Sequence, residues 1–290
     1  MTAFAHRTDK VTGSAIRELF KLLGDPEIIS FGGGNPAKES FPVETVRKLT
    51  DSLLQEKGTS LLQYGPTEGY APLIDAYISH VLSPLGLDGG RQNVLVTSGS
   101  MQGIDLIARI FVDPGDTVLV ESPSFLGALQ TFNQANLVPV EMDGHGVIIE
   151  RLEELMKLHR PKLFYCIPTF QNPTGKTLPE DRRRAVAELA KKYDVIVIED
   201  DPYRELRYRG EPLKAIKSFD SAGQVVLLNS FSKTLSPGIR VGCAFGRQDI
   251  IRKMTIAKQS ADTHTSNLTQ AIVAEFLERG CMPPHQNGII

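Results

Sequence analysis

The 290-residue sequence has no tryptophan and only three cysteines, Cys166, Cys243 and Cys281. They are far apart, odd in number and free of C-x-x-C spacing, which argues against a disulfide frame or a cysteine zinc site and for a reducing, cytoplasmic setting. The six histidines form no H-x-x-H or H-E-x-x-H pair, so no metal site is expected. No apolar run approaches the ~18 residues needed to cross a bilayer. The opening MTAFAHRTDKVTGSA lacks the apolar stretch of a secretory signal. Charge of neither sign dominates. With 32 basic and 34 acidic side chains the formal net charge is −2, which speaks against a nucleic-acid or anionic-membrane partner. Internal repeats and low-complexity tracts are missing as well.

What is present is alternation. A 41% hydrophobic content is enough for a substantial core, and strand-like runs alternate with helix-like ones along most of the chain. NVLVTSG (93–99) precedes a helical pattern from Met101 to Phe111, and DTVLVES (116–122) precedes another from Phe125 to Gln134. KLFYCIP (162–168) leads to the helix-like PEDRRRAVAELAKKY (179–193), then DVIVIED (194–200), QVVLLNS (224–230) and IRVGCAF (239–245). This rhythm predicts an α/β fold: a mainly parallel sheet with helices on both faces, whose ligands bind beyond the carboxyl ends of the strands. The polar clusters TSGS, ESPS, QNPTG, EDDPY and NSFSK all follow strand-like runs, so five loops should converge on one edge. Residues up to about 45 lack the rhythm, hold a helix-like segment at 14–23 and read as an arm. NLTQAIVAEFLERG (267–280) reads as an amphipathic helix stopped by Gly280, and CMPPHQNGII after it has no periodicity.

Three motif-like strings fail. GKT at 175–177 imitates a phosphate-binding P-loop, but the glycine that pattern needs at 170 is Phe170. GGG at 32–34 lacks dinucleotide-fold spacing. Ser230 and Lys233 form S-x-x-K, yet the S-D-N and K-T-G partners of serine acyl enzymes do not occur. Lys233 instead reads as a Schiff-base lysine. A free lysine, with a pKa of ~10.4, is charged at neutral pH and needs desolvation or condensation with an aldehyde to be useful. Ser230, Ser232 and Arg240 can hold a phosphate beside it, and Ser98-Gly99-Ser100 ahead of a helix offers a second cradle. A phosphate next to a reactive amine points to pyridoxal 5′-phosphate. Asp200 can then pair with the ring nitrogen, Asn172 and Tyr203 with the ring oxygen, and Phe125 with the ring face. Each residue alone has a plainer reading as a cap, turn, core or strand-end residue. Their joint occurrence in this order favours the functional one.

YGPTEGY, TSGSMQG, ESPSF, PTFQNPTGKTL, IEDDPYREL and SFSKTLSPGIRVG resemble the class I/II aminotransferases of fold type I, a homology spanning residues 13–280. Among them the chain is most similar to the subgroup acting on 2-aminoadipate, kynurenine, aromatic and branched-chain amino acids. The resemblance implies a cytoplasmic enzyme that moves an amino group between an amino acid and a 2-oxo acid, as a homodimer with shared active sites. Lys233, Asp200 and Tyr203 would be catalytic. Ser100, the Met101 backbone, Ser230, Ser232 and Arg240 would hold the phosphate, and Phe125 would stack on the ring. Asn172 would serve both cofactor and substrate. Tyr64 would reach the partner's phosphate, Gly34 would flank substrate and Arg17 would meet a side-chain carboxylate. The implied organisation is an arm with part of a small domain (1–45), a seven-stranded-type large domain binding the cofactor (46–280) and an irregular tail (281–290). The family's C-terminal small domain, with its carboxylate-gripping arginine, is expected to be missing. The alternative is a cofactor-binding module with little turnover, as in regulators that carry an aminotransferase-like half.

Overall fold

A computed structural model describes residues 33–290 together with 2–5, 8 and 13; Arg17 and the segment 14–23 lie outside the described residues. The strands are β1 (Val94–Thr97), β2 (Thr117–Ser122), β3 (Asn136–Asp143), β4 (Gly146–Val147), β5 (Leu163–Cys166), β6 (Ile196–Asp200), β7 (Val225–Ser230) and β8 (Gly242–Phe245). The helices are α1 (Val43–Leu61), α2 (Ala71–Tyr77), α3 (Ser100–Phe111), α4 (Leu126–Thr131), α5 (Ile149–His159), α6 (Glu180–Tyr193), α7 (Gln248–Gln259), α8 (Asn267–Glu278) and α9 (Met282–Ile289).

All eight strands join one sheet in the order β1-β8-β7-β6-β5-β2-β3-β4. β3, β2, β5, β6 and β7 run parallel, so the mainly parallel sheet stands. β8 runs antiparallel to both β7 and β1, with Ser230 opposite Gly242 and Thr97 opposite Gly242. β1 is therefore parallel to β7, and the carboxyl ends of β1, β2, β5, β6 and β7 share one edge. Successive strand residues point to opposite faces. Leu95, Val120, Tyr165, Ile198, Val226 and Leu228 enter a core with Ile104, Ile107 and Met254 of α3 and α7. Their neighbours on the other face divide between two cores. Val94, Val96 and Leu227 pack with α2 and α8, while Leu119, Phe164 and Val197 pack with α5 and α6. Each such side chain contributes about 1.5–3 kcal/mol when fully buried.

Three differences from the sequence reading have physical causes. IRVGCAF was expected to be a strand throughout, but only Gly242–Phe245 is extended. Ile239 closes a 3-10 turn after Pro237, and Arg240 has a left-handed φ of 55°. The link between β7 and β8 is closed at its base by the Phe231 N–H to the Val241 carbonyl at 3.1 Å, so it returns as a hairpin instead of crossing over. An eighth strand, β4, pairs only with the end of β3 across the turn at Gly144-His145. The tail expected to be irregular forms α9, because Pro283 and Pro284 fall in its first turn, where a missing N–H leaves no bond unmade. Met282 is buried, and the His285 ring meets Phe276 edge-on at 5.6 Å.

Candidate active site

Lys233 stands in the β7–β8 hairpin, at the shared carboxyl edge of the sheet. Its half-buried Nζ donates to the Gly34 carbonyl at 2.6 Å, and burial lowers its affinity for a proton below that of an ordinary lysine. Around it, Ser100, Met101, Phe125, Asp200, Tyr203, Ser230, Ser232 and Arg240 line one cleft, with Ile167 and Pro202. Asn172 joins through its Nδ2, which donates to the Tyr203 hydroxyl at 3.3 Å. Gly34 lies in an adjoining hollow that shares Tyr203 and Lys233 with the cleft and is edged by Gly288 and Ile289 of α9. Another hollow, between the end of β7 and α8–α9, shares Ser230 and Pro202 but contains no lysine. Tyr64 is elsewhere: it is 83% exposed, and its ring meets His264 edge-on at 5.9 Å.

Each loop is held from beneath. Asp200 ends β6, and its Oδ2 accepts from the Tyr165 hydroxyl at 2.7 Å. Its Oδ1 is buried without a hydrogen-bond partner among the described residues. Burial pushes the Asp200 carboxyl up to about 7, against the pull of the Tyr165 hydrogen bond and with a smaller push from Asp201. The Asn172 loop is clamped on both sides. Gln171 Nε2 donates to Glu121 Oε2 at 3.1 Å and to the Pro123 carbonyl at 2.9 Å, tying it to the ESPSF loop. Glu121 also accepts from the Ile167 N–H, and burial still raises its carboxyl to about 8. Arg183, fully buried on α6, donates to the Leu178, Pro168 and Lys214 carbonyls at 2.7, 2.8 and 3.0 Å and so fixes both ends of that loop.

Two glycines keep the floor of the cleft thin. Gly99 has a φ of +87°, and a Cβ there would lie 2.5 Å from Arg240 Nη2. A Cβ on Gly242 would lie 2.8 Å from the Asn229 carbonyl oxygen and 3.0 Å from the Ser100 amide nitrogen. Arg240 reaches across this floor to the Ser98 carbonyl at 3.1 Å and to Ser232 Oγ at 3.4 Å. Ser98 itself, read from sequence as part of the cradle, turns the other way: its Oγ donates to Asp262 at 2.8 Å. Tyr165, Lys258 and Asp262 were missed by sequence reading. One signal was available for Lys258, which falls on the buried stripe of α7 with Ile250, Ile251, Met254 and Thr255.

This donor set fits pyridoxal phosphate. An orphaned buried carboxylate oxygen suits a cationic ring N–H. Hydroxyls and a guanidinium gather near a helix start that only glycine-width backbone allows, which suits a phosphate. A desolvated amine completes the set. The chain belongs to the family of class I and II aminotransferases, which matches residues 26–280. These are enzymes that use pyridoxal phosphate. The chain is 42% identical to an aromatic-amino-acid aminotransferase of Thermococcus litoralis over 99% of its own length and 70% of that protein. A kynurenine aminotransferase of Pyrococcus horikoshii, solved with PMP, is 41% identical and superposes with a TM-score of 0.93 over 99% of this chain and 72% of that one. An alpha-aminoadipate aminotransferase of Thermus thermophilus, solved with N-(5′-phosphopyridoxyl)-L-leucine, is 38% identical, with a TM-score of 0.88 over 99% and 72%.

Proposed function

We infer that this chain transfers the amino group of an aromatic amino acid, kynurenine or 2-aminoadipate to a 2-oxo acid. The observation that carries the reading is the Lys233 amine, desolvated and in one cleft with the partnerless oxygen of Asp200. When bound, pyridoxal phosphate supplies an aldehyde that condenses with amines and a ring that accepts the electron pair released at the substrate's α-carbon. The protein's part is positioning and proton control. Lys233 Nζ, its ammonium form disfavoured by burial, would take the substrate's α-proton and return it to the carbon on the far side of the amino nitrogen. Asp200 would hold the ring N–H through Oδ1, while Tyr165 fixes its other oxygen. Ser100, Ser230, Ser232, Arg240 and the Met101 N–H would hold the phosphate. Asn172 and Tyr203 would direct donors at the ring oxygen, Asn172 would border the substrate as well, and Phe125 would cover the ring face.

Gly34, whose carbonyl accepts from Lys233 Nζ in the cofactor-free protein, borders the adjoining hollow and would flank the substrate there. Arg17 is assigned to a side-chain carboxylate, which supports an acidic donor beside the aromatic ones. Exposed Tyr64, which is not among the residues lining its own cleft, is assigned to the cleft of a second copy, which makes the working form a homodimer. Residues 46–280 are assigned to the cofactor-binding unit, and 1–45 to an arm with part of a small domain. The cytoplasm is the proposed location, in keeping with three cysteines that are free thiols. Among the described residues, no helix is long and apolar enough to cross a membrane.

Rapid-mixing absorbance with kynurenine, phenylalanine, 2-aminoadipate and alanine tests the reading. Loss of the cofactor's visible band with the first three donors, and slow or no loss with alanine, is expected. A protein whose band none of the four changes does not have this function.

A further inference from the structure

Behind the phosphate cradle lies a polar cluster that the reaction does not touch. Lys258 on α7 is fully buried, yet its Nζ donates to Asp262 Oδ1 and Oδ2 at 2.6 and 2.8 Å, to Gln102 Oε1 at 2.8 Å and to Thr265 Oγ1 at 3.2 Å. Asp262 Oδ2 also accepts from Ser98 Oγ and from Gln102 Nε2, both at 2.8 Å. Gln102 Oε1 in turn accepts from the Ser98 N–H at 2.8 Å. Thus the amide and hydroxyl of Ser98 are both bound into this cluster. Its remaining polar atom, the carbonyl, accepts from Arg240 at 3.1 Å.

An ion pair whose ammonium is fully buried while its carboxylate stays 28% exposed is a poor way to add stability, because desolvating the lysine offsets much of the attraction. It is a good way to fix one geometry. The turn at Ser98-Gly99-Ser100 carries a left-handed glycine and has no side-chain cap of its own at the start of α3. The outside hold on the Ser98 amide and hydroxyl restrains this turn, and with it the carbonyl that, beside Ser232 Oγ and the Pro237 carbonyl, places Arg240 over the floor of the cleft. The contact closes from 156 to 164 residues away in sequence, from α7 and the turn that follows it.

We propose that the Lys258–Asp262 pair, acting through Ser98 and Gln102, is the positioning device that holds the phosphate cradle and Arg240 ready for the 5′-phosphate of the cofactor. This rests on the pyridoxal-phosphate reading of the cleft. These residues do not touch substrate or ring. Their effect belongs to the phosphate alone, which separates a positioning role from general support of the fold.

The test compares binding of pyridoxal 5′-phosphate and of pyridoxal, which lacks the phosphate, to the cofactor-free protein and to Asp262→Asn and Ser98→Ala. Asp262→Asn removes the charge at constant shape; Ser98→Ala cuts a single hydrogen bond and keeps the measurement possible if the first variant does not fold. Each variant is expected to bind pyridoxal 5′-phosphate about tenfold more weakly or worse, the effect of losing a hydrogen bond in a charged network. Pyridoxal binding should stay within about twofold, and the 31P resonance of bound cofactor should shift. Equal weakening of both ligands, or no weakening of either, overturns the inference and leaves the aminotransferase reading intact. A wild-type protein with no preference for the phosphorylated ligand overturns the reading of the cleft, and this inference with it.

Discussion

Replacing Asp200 with asparagine should move stability and activity in opposite directions. The side chains have nearly the same shape, and the Tyr165 hydroxyl can donate to an amide oxygen as it does to the carboxylate. Burial lifts the Asp200 carboxyl from 3.8 to about 7. At 1.36 kcal/mol for each tenfold in proton affinity, ionising it there costs about 4 kcal/mol more than in water. In the cofactor-free protein the folded state therefore keeps a proton that the unfolded chain has already released. Stability falls as pH rises from about 4 to about 7, and the loss is complete above that. Asparagine escapes this loss. Near pH 8 the cofactor-free variant should be more stable than wild type by about 2–4 kcal/mol, with a melting temperature higher by roughly 5 °C or more, whereas near pH 4 the two should melt alike. With cofactor bound the effect reverses, because the amide cannot keep the ring nitrogen protonated. Losing the charged partner of the ring nitrogen should slow the half-reaction by about a hundredfold or more, the usual scale for one electrostatic contact at the reacting centre. Thermal melts at the two pH values and single-turnover kinetics read both arms. A variant that melts below wild type at both pH values, or that retains wild-type turnover, refutes the reasoning.

Three further outcomes follow from the packing around the cleft. Gly99→Ala forces a side chain into a left-handed backbone and against Arg240, so the cofactor dissociation constant should rise at least about tenfold; titration at constant ionic strength checks this. Tyr165→Phe leaves the ionised Asp200 without its donor and should destabilise the cofactor-free protein by about 1–3 kcal/mol above pH ~7, and by less where the acid is protonated. Urea midpoints on either side of that pH would show it. Arg183→Leu strips of their donor the Pro168 and Leu178 carbonyls at the two ends of the Asn172 loop and the Lys214 carbonyl beside it; a loss of about 3 kcal/mol or more and faster proteolysis within residues 169–177 are expected.

Loops were more legible than elements. A short apolar run followed by polar residues marks a strand end, and in a parallel sheet such ends must gather on one edge, so Lys233, Asp200, Asn172 and Phe125 could be read from local order alone. The antiparallel turn of β8 could not, because strand direction depends on whether the link crosses over or folds back. β3 was not read from the sequence; its Pro139 lies opposite Val120 of β2, and only β4, two residues long, flanks it on the far side. α9 escaped because prolines placed in a first turn look the same in sequence as prolines that end one. Lys258, Asp262 and Tyr165 act through contacts set by tertiary packing, and for two of them no local pattern exists.

The central claim is that the amine of Lys233 is the group that joins the cofactor. Loading the protein with pyridoxal 5′-phosphate, reducing with borohydride and mapping the peptides by mass tests it directly. The phosphopyridoxyl mass is predicted on the peptide carrying Lys233 and to vanish in Lys233→Ala. The same label on Lys176, Lys258 or another lysine of the wild-type protein, or on none, contradicts it.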